Sequence, residues 1–284
     1  MKPGREYKVS GDGLSIQIGE WPGDGPVVLC VHGLTANQRC FELVAEGITS
    51  ACRVLAMDLR GRGLSDKPAQ GYSLEHHCRD MAAALADMGL KRVSLLGHSL
   101  GAYVCLAFTA QHPEMVEKLV LFDGGAELSA DDWLAVGVGI QPAIDRLGKV
   151  EPTFDAYLEL ARRAPYAEPW NACLEDYFRY ETEEVPGGLS SRVKPDNIAE
   201  ERANLREFKP SGLYEKIQCP VLVLRATKGM GPDGGLVLPE VATRKMVAAI
   251  AQAKLVNLEG VDHYSILFQP NPERDRALVD FLTK

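Results

Sequence analysis

The chain has 284 residues, 46% hydrophobic and 25% charged, with 27 glycines and 17 prolines. That balance excludes disorder, collagen and coiled coil, and the chain is long enough to bury a large core without staples. Thirty-one basic against 39 acidic residues give a net charge of −8; with no basic cluster, the sequence offers no face to nucleic acid.

The opening MKPGREYKVS has no apolar core of signal-peptide length, and no run of roughly 18 apolar residues that would cross a membrane occurs. The seven cysteines are odd in number, form no C-x-x-C pair and mostly sit inside apolar runs. They read as buried thiols of a cytoplasmic protein.

In chain order, a hairpin is predicted over 7–10 and 14–18 around Gly11-Asp12-Gly13, followed by strands over 27–31 and 53–57. Ser73 caps a helix running to Met88 and stopped by Gly89. Strands follow over 93–96, 118–122 and 220–224, then a helix over 239–251, a strand over 254–258 and a helix over 273–282. Most of the strands are near-continuous apolar runs, as expected of parallel strands covered on both faces. Alternation of strand and helix predicts an α/β sheet with right-handed crossovers.

The rhythm breaks over residues 127–210, which hold nine aromatic residues, Trp133, Tyr166, Tyr177 and Phe208 among them. Ten basic and 17 acidic residues there give a net of −7, nearly all of the chain's charge. The segment is predicted to be a helical cap inserted into a core domain made of residues 1–126 and 211–284, its acidity a solvated outer face.

The chemistry concentrates in Gly97-His98-Ser99-Leu100-Gly101. This G-x-S-x-G follows an apolar strand and opens a helix without a gap, the strand–elbow–helix setting of a serine nucleophile. A turn that tight strains the serine and brings backbone close, so Gly97 and Gly101 remove side chains that would collide. A second motif, His32-Gly33-Leu34-Thr35, ends the strand 27–31. Acyl transfer needs two N–H donors aimed at the oxyanion, and the amides of Leu34 and Leu100 are the predicted pair. His32 is expected to hold its loop through its ring nitrogens.

With these two motifs, the Asp58-Leu-Arg60-Gly61-Arg-Gly63-Leu-Ser65 stretch after strand 53–57, and Asp262-His263 after the last strand, the sequence resembles the α/β-hydrolase superfamily along nearly its whole length. The resemblance implies a mostly parallel eight-stranded sheet with helices on both faces. It also implies a serine nucleophile, a histidine base and an acid, in the order Ser…Asp/Glu…His.

Among six histidines, His263 alone follows the last strand in a loop and becomes the base. His76 and His77 are placed on a surface helix, His112 near a helix end, and His98 in the elbow with its side chain pointing away from that of Ser99. For the acid, many relatives use a position after the strand over 220–224, which here is Gly229. Asp233 in that loop and Asp123 after strand 118–122 are the two candidates, with Asp123 preferred. Asp58 and Arg60 are expected to pair with each other as architecture.

The expected activity is hydrolysis of a small to medium, largely apolar carboxylic ester or lactone by a Ser99–His263–Asp123 triad, with no metal or organic cofactor. Its partner is a small-molecule substrate, with no nucleic acid and no membrane, acting on a monomer or homodimer in the cytoplasm. The same triad serves carbon–carbon and amide hydrolases and hydroxynitrile lyases, and a ligand-binding receptor could keep it as a vestige. Dehalogenases and epoxide hydrolases are disfavoured, because they place aspartate where Ser99 stands.

Overall fold

The computed structural model describes residues 1–163, 168–231 and 235–284. An antiparallel hairpin, β1 (Arg5–Ser10) and β2 (Ser15–Trp21), leads into β3 (Val27–Val31), α1 (Glu42–Ile48) and β4 (Arg53–Met57). Then come α2 (Leu74–Asp87), β5 (Val93–His98), α3 (Leu100–Gln111) and β6 (Val116–Phe122). The strands assemble as eight in the order β1-β2-β4-β3-β5-β6-β9-β10, with β9 (Val221–Ala226) and β10 (Ala253–Leu258) completing the sheet. From β4 to β10 all neighbours are parallel, and β2 runs antiparallel to β4.

The apolar runs become strands covered on both faces because their side chains alternate between two cores. Leu29, Val31, Leu55 and Met57 face the layer of α2 and α3. Val28, Cys30, Val54 and Ala56 face the layer of α1 and the C-terminal α10 (Pro272–Thr283). Each run is therefore apolar throughout rather than alternating. The eight-stranded, mostly parallel architecture matches the expectation, and the predicted strands over 27–31 and 53–57 keep both their ends.

Between β6 and β9 the chain leaves the sheet and forms α4 (Ala130–Asp145), α5 (Phe154–Arg162), α6 (Ala172–Glu181) and α7 (Pro195–Glu207). A two-stranded ribbon, β7 (Thr182–Val185) with β8 (Gly188–Ser191), joins α6 to α7 and was not expected in a helical segment. Tyr157, Tyr177 and Phe178 are buried there, with Trp170 stacked on Phe178 at 5.8 Å between ring centres; Tyr157, Trp170 and Phe178 pack the segment itself, while Tyr177 also meets Phe268 of the sheet domain. Tyr166 lies outside the described residues. After β9 come α8 (Glu240–Ala249), β10, the short α9 (Ser265–Phe268) and α10.

Candidate active site

Ser99 sits between β5 and α3 with φ 56° and ψ −119°, a conformation that a side chain rarely adopts. Its N–H donates to the Phe122 carbonyl at 3.1 Å, tying the turn to the neighbouring strand. A methyl group at Gly97 would strike the Gly101 carbonyl, and one at Gly101 would strike the Val31 carbonyl. Both glycines are thus required by the close backbone approach that the motif predicts.

Asp123 directly follows β6 and has φ 48°, a region that aspartate tolerates better than most residues. Its N–H donates to Leu224 O at 2.8 Å. Its Oδ1 accepts from Ala226 N–H at 3.0 Å, at the end of β9. Its Oδ2 accepts from Nδ1–H of His263 at 2.7 Å. Both side chains are buried, so this charge-assisted contact lies in a low dielectric. Of the two candidate acids, Asp123 is the one brought to His263, while Asp233 lies outside the described residues.

With Nδ1 committed to Asp123, Nε2 of His263 makes no hydrogen bond among the described residues, and His263 and Ser99 line one cavity. His98 sits in the elbow at the end of β5. Its ring stacks on that of His263 at 4.3 Å between centroids, and its Nε2–H donates to the His263 carbonyl at 3.0 Å. Burial pushes the His98 imidazole well below its usual range, so the stacked ring is neutral. This contact steadies the loop that carries His263. No short-range motif signals it, because it joins residues from two different strand ends.

His32 behaves as expected of a loop-holding residue. Its Nε2 accepts from Leu59 N–H at 3.0 Å, and Nδ1–H donates to Gly33 O at 2.8 Å. Burial pushes its pKa down to about 3. Gly33 lies against the Ser99 turn, where an added methyl would come within 3.2 Å of Ser99 Cβ. Leu34 and Leu100 both line the cavity beside Ser99, and neither amide makes a hydrogen bond among the described residues. Leu100 N–H is one of the free donors at the first turn of α3.

Two readings of the sequence need correction. Arg60 pairs with Asp80 at 2.6 Å rather than with Asp58. Asp58 instead accepts from Tyr180 Oη–H at 2.6 Å and from the Gln38 and Leu64 amides. His77, expected on the surface, is fully buried and meets Glu201 of α7 at 2.9 Å. Glu201 also holds Arg62 at 2.9 Å, and Arg62 Nε–H donates to the carbonyl of Leu34 at 3.0 Å. Burial pushes the Glu201 carboxyl up, but the His77 and Arg62 side chains outweigh it and bring it down to about 2. The buried stripe of α2, Leu74, Cys78, Met81 and Leu85, includes position 77 at helical spacing, and that was the available signal.

Two lobes meet at Ser99, sharing Leu34 and Ile140. One reaches His263, Tyr177 and Phe268, with Arg146 in its wall already doubly bonded to Glu181. The other is walled by Leu100, Tyr103, Trp133, Val136 and Leu205, with Arg202 and Arg206 at its edge. Among the described residues there is no cluster of three or more His, Cys, Asp or Glu placed to hold a metal ion, and no helix long and apolar enough to cross a membrane.

The chain is 27% identical to 2-(acetamidomethylene)succinate hydrolase of Mesorhizobium japonicum, over 85% of this chain and 83% of that protein. It is 29% identical to 3-hydroxybutyrate-oligomer hydrolase of Cupriavidus necator, over 88% of this chain and 87% of the other. In backbone it is similar to the crystal structure of E-2-(acetamidomethylene)succinate hydrolase, with a TM-score of 0.85, 24% identity and 99% of each chain covered. Residues 28–278 match the model of the alpha/beta hydrolase family, and the chain belongs to that family of hydrolytic enzymes.

Proposed function

We propose that this enzyme is a serine hydrolase that cleaves a small to medium carboxylic ester or lactone through an acyl-enzyme, with Ser99 as nucleophile, His263 as base and Asp123 as acid. The observation that supports this most directly is the buried Asp123–His263 contact at 2.7 Å beside a cavity shared by His263 and Ser99. Asp123 fixes the tautomer with the proton on Nδ1, so Nε2 is left to accept the Ser99 proton as Oγ bonds to the substrate carbonyl carbon. The carbonyl oxygen becomes an oxyanion, received by the Leu34 and Leu100 amides. Collapse of the intermediate breaks the bond to the leaving alkoxide, which takes the proton back from Nε2. Water then repeats the sequence on the acyl-enzyme.

Residues 127–210 act in this reading as a cap. Helix α4 supplies Ile140 to both lobes, and α6 and α7 close them from above. The seven free cysteines suit a reducing, cytoplasmic setting. Amide cleavage is a second reading, motivated by the acetamido group in the name of the Mesorhizobium relative.

A fluorophosphonate probe tests the nucleophile. One adduct is expected on the native protein and none on Ser99→Ala, and labelling that survives the substitution refutes the assignment. Matched esters, lactones and amides assayed on the same two proteins decide the bond cleaved, with the ester or lactone expected to turn over fastest.

A further inference from the structure

Arg202 and Arg206 stand one helical turn apart on α7, and both line the apolar lobe that begins at Ser99. Trp133 and Gly137 accompany them both in that lobe and in an outer groove between α4 and α7, so the arginines mark where the lobe meets the surface. Neither makes an ion pair or hydrogen bond among the described residues. Elsewhere in this acidic segment, Arg146, Arg162, Arg179 and Arg192 each hold a carboxylate. Two like charges at this spacing weaken a helix. Partial burial, and after it the neighbouring Arg206, hold the Arg202 guanidinium below its ordinary range.

The helix that carries the two side chains is firmly placed. Glu201 anchors the helix to Arg62 and His77, Glu200 accepts from the Gly71 and Tyr72 amides, and Asn204 donates to the Tyr72 carbonyl. Glu200 and Glu201, the acidic residues just before the pair, thus have other partners, and among the described residues the two arginines face the lobe with no carboxylate bound to them.

Resting on the hydrolase reading above, we infer that Arg202 and Arg206 bind a carboxylate at the far end of the substrate, separated from the scissile carbonyl by an apolar stretch that fills the lobe. Guanidinium groups match a carboxylate through paired N–H donors, and partial desolvation strengthens the contact. An anion there also relieves the repulsion between the two arginines.

Matched esters of equal length, ending in a carboxylate or in a methyl group, test this on the native enzyme and on Arg202→Gln/Arg206→Gln. One series carries the charge on the acyl chain and the other on the alcohol. In one of the two, kcat/KM for the carboxylate ester should exceed that for the methyl ester by about tenfold or more. That ratio should fall towards one in the double variant, and should invert in favour of an ammonium-terminated ester in Arg202→Glu/Arg206→Glu. If the double variant does not fold, Arg206→Gln alone, at the more exposed position, should lower the ratio. Ratios near one in both series, or a carboxylate preference that survives the substitutions, overturn the proposal. If the folded native protein hydrolyses no ester, the hydrolase reading is what fails. Calorimetric titration with octanoate then decides the arginine site: binding lost in the variant upholds it, and no binding to the native protein overturns it.

Discussion

Two loops at the carboxyl ends of core strands each carry a buried histidine, and they use it in opposite ways. After β3, His32 commits both ring nitrogens to backbone, one to Leu59 N–H and the other to Gly33 O. After β10, His263 commits only Nδ1, to Asp123, and turns its other nitrogen to a cavity that Ser99 shares. Burial is similar in the two cases. What separates the structural imidazole from the one proposed as the base is the number of nitrogens already spent. A ring with both nitrogens bonded has no site left for chemistry, and burial holds the His32 imidazole neutral.

That contrast can be broken at either loop. The largest effect is expected from His263→Ala, which should lower kcat by about 10⁴–10⁶ with the fold intact by circular dichroism. Asp123→Asn keeps the shape but allows the wrong tautomer, and should lower kcat by about 10³–10⁴. Asp233→Asn should cost less than about tenfold if Asp123 is the acid, and a reversed ranking would transfer the role to Asp233. At the other loop the loss should appear in stability first. His32→Ala leaves Leu59 N–H unpaired and takes from Gly33 O one of its two donors, the Ala36 amide remaining, and should cost about 1–3 kcal/mol in urea unfolding.

The smallest effect is a change of slope with pH. The folded pKa of His32 is about 3, below its usual 6.5, so its contribution to stability is complete above about pH 6.5 and is lost as pH falls towards 3. His98 shifts in the same direction. Unfolding free energy measured across that window should therefore decline in the native protein. In His32→Ala the decline should be shallower by up to about one proton, and an unchanged slope would mean that His32 is not held neutral.

Much of this was legible along the chain because the signals were local. Apolar runs marked the strands, Gly97 and Gly101 marked the tight turn, and the position of His263 after the last strand set it apart from five other histidines. The acid was harder. Asp123 and Asp233 both follow core strands, and choosing between them needs the reach to His263, which no spacing encodes. Pairings between distant elements were illegible for the same reason. Arg60 finds Asp80 on α2 instead of its near neighbour Asp58, and His77 is buried because α7, far along the chain, brings Glu201 to it. His98 stacks on His263 only because β5 and the loop after β10 converge in space.

The pairing of β6 with β9 bears on the order in which the chain is made. Residues 123–220 must be synthesised before β9 can dock beside β6, and closing so long a loop costs entropy that later contacts must recover. Until then Asp123 lacks the Ala226 amide that holds one of its oxygens, and His263 has not yet left the ribosome. The serine turn between β5 and α3 can form early, but the carboxylate–imidazole contact beside it waits for the loop after β10. A copy synthesised only as far as β9 therefore carries the Ser99 turn without His263, the residue proposed above as its proton acceptor.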